Sequence, residues 1–232
     1  MWLSLISLCA LLLSHGITAF TAEELTVAET YQVKFSIRMT INETARMIQH
    51  FSSMKGAYYE FGMGGSTHLA CAFLPPSARL YSMDSNQKWV RNTAADPCIQ
   101  KMIAEGRASV KLVNIGETGE WGMPVGSTHM HLWADYSTSI VAYKDENVDL
   151  VLVDGRFRIA CALESWLQFP QATIVMHDFY DPYHILDYVK LLEVFEKVES
   201  TDTLISLRMK PSVSRETILA MLEDHRRVFG RI

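Results

Sequence analysis

The run Ala57-Tyr58-Tyr59-Glu60-Phe61-Gly62-Met63-Gly64-Gly65-Ser66-Thr67-His68 constrains this chain more than any other feature, because it reads as a strand, a glycine turn and the start of a helix. Tyr58, Tyr59 and Phe61 favour the pleated surface of a strand. Gly62, Gly64 and Gly65 lack the Cβ atoms that obstruct tight turning and the close approach of a ligand, and Ser66 or Thr67 can cap the helix that follows. Amides at a helix start point at whatever lies above the turn. About twenty residues after the glycines, Leu80-Tyr81-Ser82-Met83-Asp84 reads as the next strand, and it ends in a carboxylate placed to accept from both hydroxyls of a ribose.

The rest of the chain repeats this alternation. Thr40-Ile41-Asn42-Glu43 is a capping-box pattern, and Ala45, Ile48 and Phe51 continue it as an amphipathic leading helix. The helix from Ser66 stops near Pro75-Pro76, and residues 88–105 are helical with a break at Asp96-Pro97. Further strands are expected at 110–115, at Val148-Asp149-Leu150-Val151-Leu152-Val153 and at 172–176, with a helix through Ala160, Leu163 and Leu167 between the last two. Strands alternating with helices mean a parallel sheet with helices on both faces, in one domain. Beyond a helix at 183–192 the alternation ends. Two strands at 194–198 and 204–209 are separated only by the short segment 199–203, so they pair antiparallel.

Dinucleotide-binding proteins share the strand, glycine turn and acid logic, but their fingerprint has a third glycine where this chain has Thr67. With Glu60 two places before Gly62, the segment instead resembles motif I of the class I S-adenosylmethionine-dependent methyltransferases, with Ser66 where many members carry a third glycine. The resemblance extends over residues 41–210 and is specific at 60–67 and at Asp84. It implies a Rossmann-like, doubly wound α/β fold: a mostly parallel seven-stranded sheet with an antiparallel terminal hairpin, the seventh strand inserted beside the fifth. It also implies S-adenosylmethionine as cofactor, held by Glu60, Gly62, Gly64, Gly65, Ser66 and Asp84.

In open parallel sheets ligands bind beyond the carboxyl ends of the strands, and this chain places Glu60, Asp84, Asn114, Asp154 and His177-Asp178 at such ends. Asp154 can serve as a base, a metal ligand or an anchor for the turn. Arg156 and Arg158 can clamp an anionic substrate, or one of them can pair with Asp154 or Asp178 as scaffolding. His177 has the titration range of a general base toward an acceptor, the alternative being a histidine hydrogen-bonded at a strand end. Asp154 and Asp178 also resemble the acids that hold magnesium in catechol-type O-methyltransferases, although Phe179 stands where those enzymes have asparagine; magnesium is therefore a secondary expectation. The long connection 116–136, carrying Trp121 between glycines and a proline, is expected to be a lid over cofactor or acceptor. His129 and His131 alternate on that connection and lack the further ligands a metal cage needs.

Composition excludes several classes. A formal charge of −5 over 232 residues with scattered basic residues offers no footprint for nucleic acid, and His225-Arg226-Arg227 with Arg231 suits the end of a last helix. Trp2 to Leu13 is almost wholly apolar yet too short to span a membrane, so it reads as a signal peptide (residues 1–19, cleaved after Ala19) ahead of a single domain at 20–232. That implies a secreted or endomembrane-lumenal protein; a plastid leader is the minor alternative, opposed by Glu23 and Glu24. Cys71, Cys98 and Cys161 remain after cleavage, and with an odd number and no zinc spacing no disulfide is expected. The expected activity is methyl transfer to a small-molecule acceptor, O-methylation first. The alternatives are a non-catalytic secreted or lumenal binding protein on the same fold, and a nicotinamide-dependent oxidoreductase.

Overall fold

A computed structural model describes residues 19–228; residues 1–18 of the expected leader and Arg231 lie outside them. The elements run α1 (Ala22–Phe35), α2 (Ile41–Ser53), β1 (Ala57–Phe61), α3 (Gly65–Phe73), β2 (Arg79–Asp84), α4 (Gln87–Ala94), α5 (Pro97–Ala104) and β3 (Ala108–Leu112). There follow α6 (Ala134–Thr138), β4 (Val148–Val153), α7 (Arg158–Gln168), β5 (Thr173–Met176), the single turns α8 (Ile185–Tyr188) and α9 (Leu191–Val194), β6 (Phe195–Thr201), β7 (Leu204–Met209) and α10 (Arg215–His225).

The strands form one sheet in the order β3-β2-β1-β4-β5-β7-β6, parallel except that β7 lies antiparallel between β5 and β6. This is the expected seven-stranded topology. Every residue of β1 is buried, because helices cover both sheet faces. Period-two alternation divides its side chains: Tyr59 and Phe61 join one apolar cluster with Val151, Val153, Leu163 and Ile218, while Tyr58 joins a second with Phe51, Leu69, Leu80 and Ile99. Strand order reverses between β1 and β4, and there the carboxyl ends open a crevice.

Four local expectations are corrected. Helix α1 was not anticipated: only Ala28 is buried on it, so no apolar stripe announces it. It is held instead by a capping box of Thr21 and Glu24 and by ring contacts, Tyr31 with Phe73 at 4.7 Å and Phe35 with His68 at 5.6 Å. Second, the hairpin turn is Asp202-Thr203 alone, with Thr201 facing Leu204. The charges that suggested a turn at 199–203 belong to an edge strand, where Glu199 meets His50 at 3.3 Å and Arg46 at 3.4 Å. Third, β3 sits two residues earlier than expected, and the helix expected at 183–192 is broken into α8 and α9.

Fourth, Cys71 and Cys98 form a disulfide, with Cα atoms 6.2 Å apart. The sequence places these cysteines on two helices; only the crossover through β2 brings α3 and α5 side by side. Cys161 remains free and buried, as expected for a thiol packed as a small hydrophobe.

Candidate functional site

Glycine geometry sets the crevice. Gly62 has φ +90°, and a Cβ there would come within 2.7 Å of the Gly155 nitrogen, so β1 can approach the end of β4 only as glycine. A Cβ at Gly65 would lie 2.8 Å from the Ile37 Cα, so this glycine admits the α1–α2 linker rather than a ligand. Gly64 differs: its Cβ would meet only the Trp89 ring, at 3.7 Å, and otherwise enter open space. That opening faces the crevice, with Trp89 of α4 as its wall.

Glu60 lies beneath the turn, fully buried. Its Oε2 accepts from Tyr58 Oη (2.8 Å) and Ser66 Oγ (2.9 Å), and its Oε1 accepts from Ser82 Oγ (2.6 Å) and Thr67 Oγ1. Burial pushes its carboxyl up to about 7 against the pull of those four hydroxyls. Both Glu60 and the Ser66 side chain are thus spent inside the protein. This corrects the expectation that they touch the cofactor. Thr67, standing where dinucleotide proteins have glycine, accepts from the Gly64 amide at 3.0 Å as it donates to Glu60.

Asp84 ends β2 and joins it to the turn: Oδ2 accepts from the Met63 amide (3.0 Å) and Oδ1 from the Asn86 amide (2.6 Å). Burial raises its pKa against those bonds. The connection 113–133 is ordered, with bonds from Gly119 N to Met123 O (2.8 Å) and Val125 N to Glu117 O (2.9 Å). It leans on the end of β2, where Ser85 Oγ donates to Gly122 O at 3.2 Å. At its tip Trp121 is 60% exposed, with φ +54°. Its indole is largely exposed to solvent.

At the ends of β4 and β5, Asp154, His177 and Asp178 come together as expected, but with a different chemistry. His177 Nδ1 lies 3.0 Å from Asp154 Oδ1 and 3.5 Å from Asp178 Oδ1, and its Nε2 lies 3.4 Å from Glu43 Oε2. Burial opposes its charge, yet these carboxylates outweigh burial and push its pKa up to about 10. A histidine that holds its proton with both nitrogens facing carboxylates does not fit the role of general base. The expectation for His177 is corrected accordingly.

Glu43, known from sequence only as a capping residue, is the anchor of this cluster. It is 1% exposed, caps α2 through the Thr40 amide at 2.8 Å, and accepts at Oε1 from Thr203 N, Thr203 Oγ1 and Leu204 N at 2.7–3.0 Å. Burial disfavours its charge, but His177 and these donors hold its pKa down to about 2. Glu43 therefore ties α2, β5 and the β6–β7 turn to one another.

Arg158 completes the cluster as scaffold, not substrate clamp. Its Nε donates to Gly155 O (3.1 Å), Nη1 to His177 O (2.5 Å), and both Nη atoms lie 3.2 Å from Asp178 Oδ2, with Asp154 Oδ1 also at 3.2 Å. The ligand atoms of Asp154, His177 and Asp178 lie within 4.8 Å of one another, close enough for a metal. Magnesium does not fit them, because a guanidinium and an imidazolium already face those carboxylates. Arg156 is the counterpart: it lies half-buried under residues 119–123, and its Nη1 donates to Met123 Sδ at 2.8 Å. Sequence reasoning also passed over Trp89 and His184; the latter stacks on Tyr188 at 5.5 Å with a buried, unbonded Nδ1.

No family model matches the sequence, and no curated protein matches it. Among solved structures, a methyltransferase-like protein from Silicibacter pomeroyi aligns with a TM-score of 0.66 at 22% identity, covering 83% of this chain and 97% of that one. A Corynebacterium glutamicum protein aligns with a TM-score of 0.50 at 11% identity, covering 91% of this chain and all of that one (100%). The fold is that of the class I methyltransferases.

Proposed function

We propose that this protein is an S-adenosylmethionine-dependent methyltransferase acting on a small-molecule acceptor. The open space over Gly64 carries this reading: it is bounded by Trp89 and the Asp84 strand end, where this fold admits a ligand. Gly62, Gly64 and Asp84 would hold the donor. Each Asp84 oxygen accepts one amide and keeps a lone pair for a ribose hydroxyl. When bound, the donor supplies a sulfonium methyl: the sulfur–carbon bond breaks, an acceptor–carbon bond forms, and S-adenosylhomocysteine leaves.

The chain's own part is alignment and exclusion of water, worth most in a displacement of this kind. The ordered 113–133 connection, latched to Ser85, would close the crevice on the β2 side. Oxygen acceptors remain the first choice. With His177 already protonated, the acceptor oxygen arrives ionised or loses its proton to solvent.

The runner-up is a secreted or lumenal binding protein on the same fold. The apolar leader and the Cys71–Cys98 disulfide favour an oxidising compartment, whereas the methyl donor is made in the cytosol. Calorimetric titration with S-adenosylmethionine, S-adenosylhomocysteine and NAD decides. Binding of the first two without NAD supports the methyltransferase; binding of NAD alone supports an oxidoreductase; binding of none favours the secreted or lumenal binding protein.

A further inference from the structure

Arg156 and Arg158 leave β4 on the same turn and meet opposite fates. Arg158 is saturated by carbonyls and carboxylates. Arg156 makes no ion pair among the described residues: its Nη1 has only the Met123 thioether, a weak acceptor, and its buried Nε has no hydrogen-bond partner. Asp84 and Asp154 act on it through charge without bonding to it, and Tyr188 flanks it from α8.

A guanidinium is a planar fork of five N–H donors that matches an oxyanion through two parallel bonds. Leaving the buried Nε of Arg156 without a partner is costly unless that partner arrives with a ligand. Resting on the methyl-transfer reading, we propose that Arg156 receives a carboxylate or phosphate of the acceptor. The acceptor is then an anionic small molecule that enters between Met123 and Tyr188 and displaces the thioether from Nη1. The other source of the same chemistry is the donor's own carboxylate, so the test separates the two.

The experiment titrates the full chain, at constant ionic strength, with benzoate and inorganic phosphate as simple oxyanions, and with S-adenosylhomocysteine and 5′-methylthioadenosine, which lacks the amino-acid carboxylate. Wild type, Arg156→Gln, Arg156→Lys and Arg158→Gln are compared. We expect one oxyanion probe to bind wild type, at least tenfold more weakly to Arg156→Gln and with an intermediate loss to Arg156→Lys, while S-adenosylhomocysteine affinity stays within about twofold. Arg156→Gln should melt close to wild type, since Arg156 makes no ion pair among the described residues, whereas Arg158→Gln should melt lower.

Equal probe binding by wild type and Arg156→Gln, or none by wild type, overturns the proposal. Loss of S-adenosylhomocysteine but not of 5′-methylthioadenosine in Arg156→Gln seats the donor's carboxylate there and overturns the acceptor assignment. Arg156-dependent probe binding in a wild-type protein that ignores S-adenosylhomocysteine would keep the oxyanion site and discard methyl transfer.

Discussion

At the scale of single residues the crevice divides into positions that face open space and positions spent on the protein itself. Gly64 is of the first kind, so Gly64→Val should abolish S-adenosylhomocysteine binding while the circular dichroism spectrum stays that of the folded protein. A folded variant with undiminished affinity would move the donor elsewhere. Asp84 is of both kinds, since it anchors the Met63 and Asn86 amides and ends the strand beside the opening. Asp84→Ala should weaken the donor by roughly 1.5–3 kcal/mol, the scale of a hydrogen bond to a charged group. It should also lower stability, because two buried amides lose their acceptor. Measuring affinity with a 2′-deoxy donor analogue isolates the ribose: equal losses in variant and wild type would show that Asp84 does not touch it. His177 belongs wholly to the second kind. His177→Gln should cost about 3–5 kcal/mol in urea unfolding, because Glu43 and Asp154 lose the cation between them. A smaller cost with a large loss of turnover would return His177 to the chemistry.

Among the elements, α3 carries the most consequence, because the glycine turn is its first residue and its far end is stapled to α5. Converting Cys71 and Cys98 to serine should destabilise the protein by about 2–4 kcal/mol, the usual worth of a bridge, here between residues 27 apart. Thermal melts with and without reductant check this, and an unaltered melt would mean that the thiols are free. The terminal hairpin was expected as two antiparallel strands, and only the extent of its first strand escaped a linear reading. Strand β7 was visible as an apolar run, but β6 carries the charges of an edge strand, and only its pairing with β7 separates it from the turn. Helix α1 escaped for the opposite reason: its contacts come from two aromatic residues in its last turns, Tyr31 and Phe35, and not from an apolar stripe along its whole length.

For the molecule as a whole, three buried groups set a pH window for stability. Glu43 has its pKa lowered from 4.5 to about 2, so its contribution is present above about 4.5 and is lost as pH falls toward 2. His177 is raised from 6.5 to about 10, so its contribution is complete below about 6.5 and is lost as pH rises through 10. Glu60 is raised from 4.5 to about 7, so the folded state favours its protonated form and loses stability from about 4.5 upward through 7. The urea midpoint should therefore peak near pH 4.5, where the Glu43 contribution is complete and the Glu60 loss has only begun. Glu60→Gln should flatten the fall through pH 7, and His177→Gln the fall toward pH 10; a maximum above pH 8 would contradict both shifts. What the sequence determined by itself was the alternation of strand and helix, the glycine turn and the acid twenty residues on, because hydrophobic period and glycine placement are local properties of the chain; the sheet order was only implied by the resemblance those residues carry. What only the tertiary structure decided was which polar residues face the crevice. Glu60 and His177 stand near strand ends and Ser66 and Arg158 on the helices that follow, yet each is taken up by partners within the protein: Tyr58 and Ser82 for Glu60, Glu60 for Ser66, Asp178 for Arg158 and Glu43 for His177. A carboxylate or guanidinium is committed or free according to what long-range packing sets within about 3 Å of it, and no linear spacing encodes that.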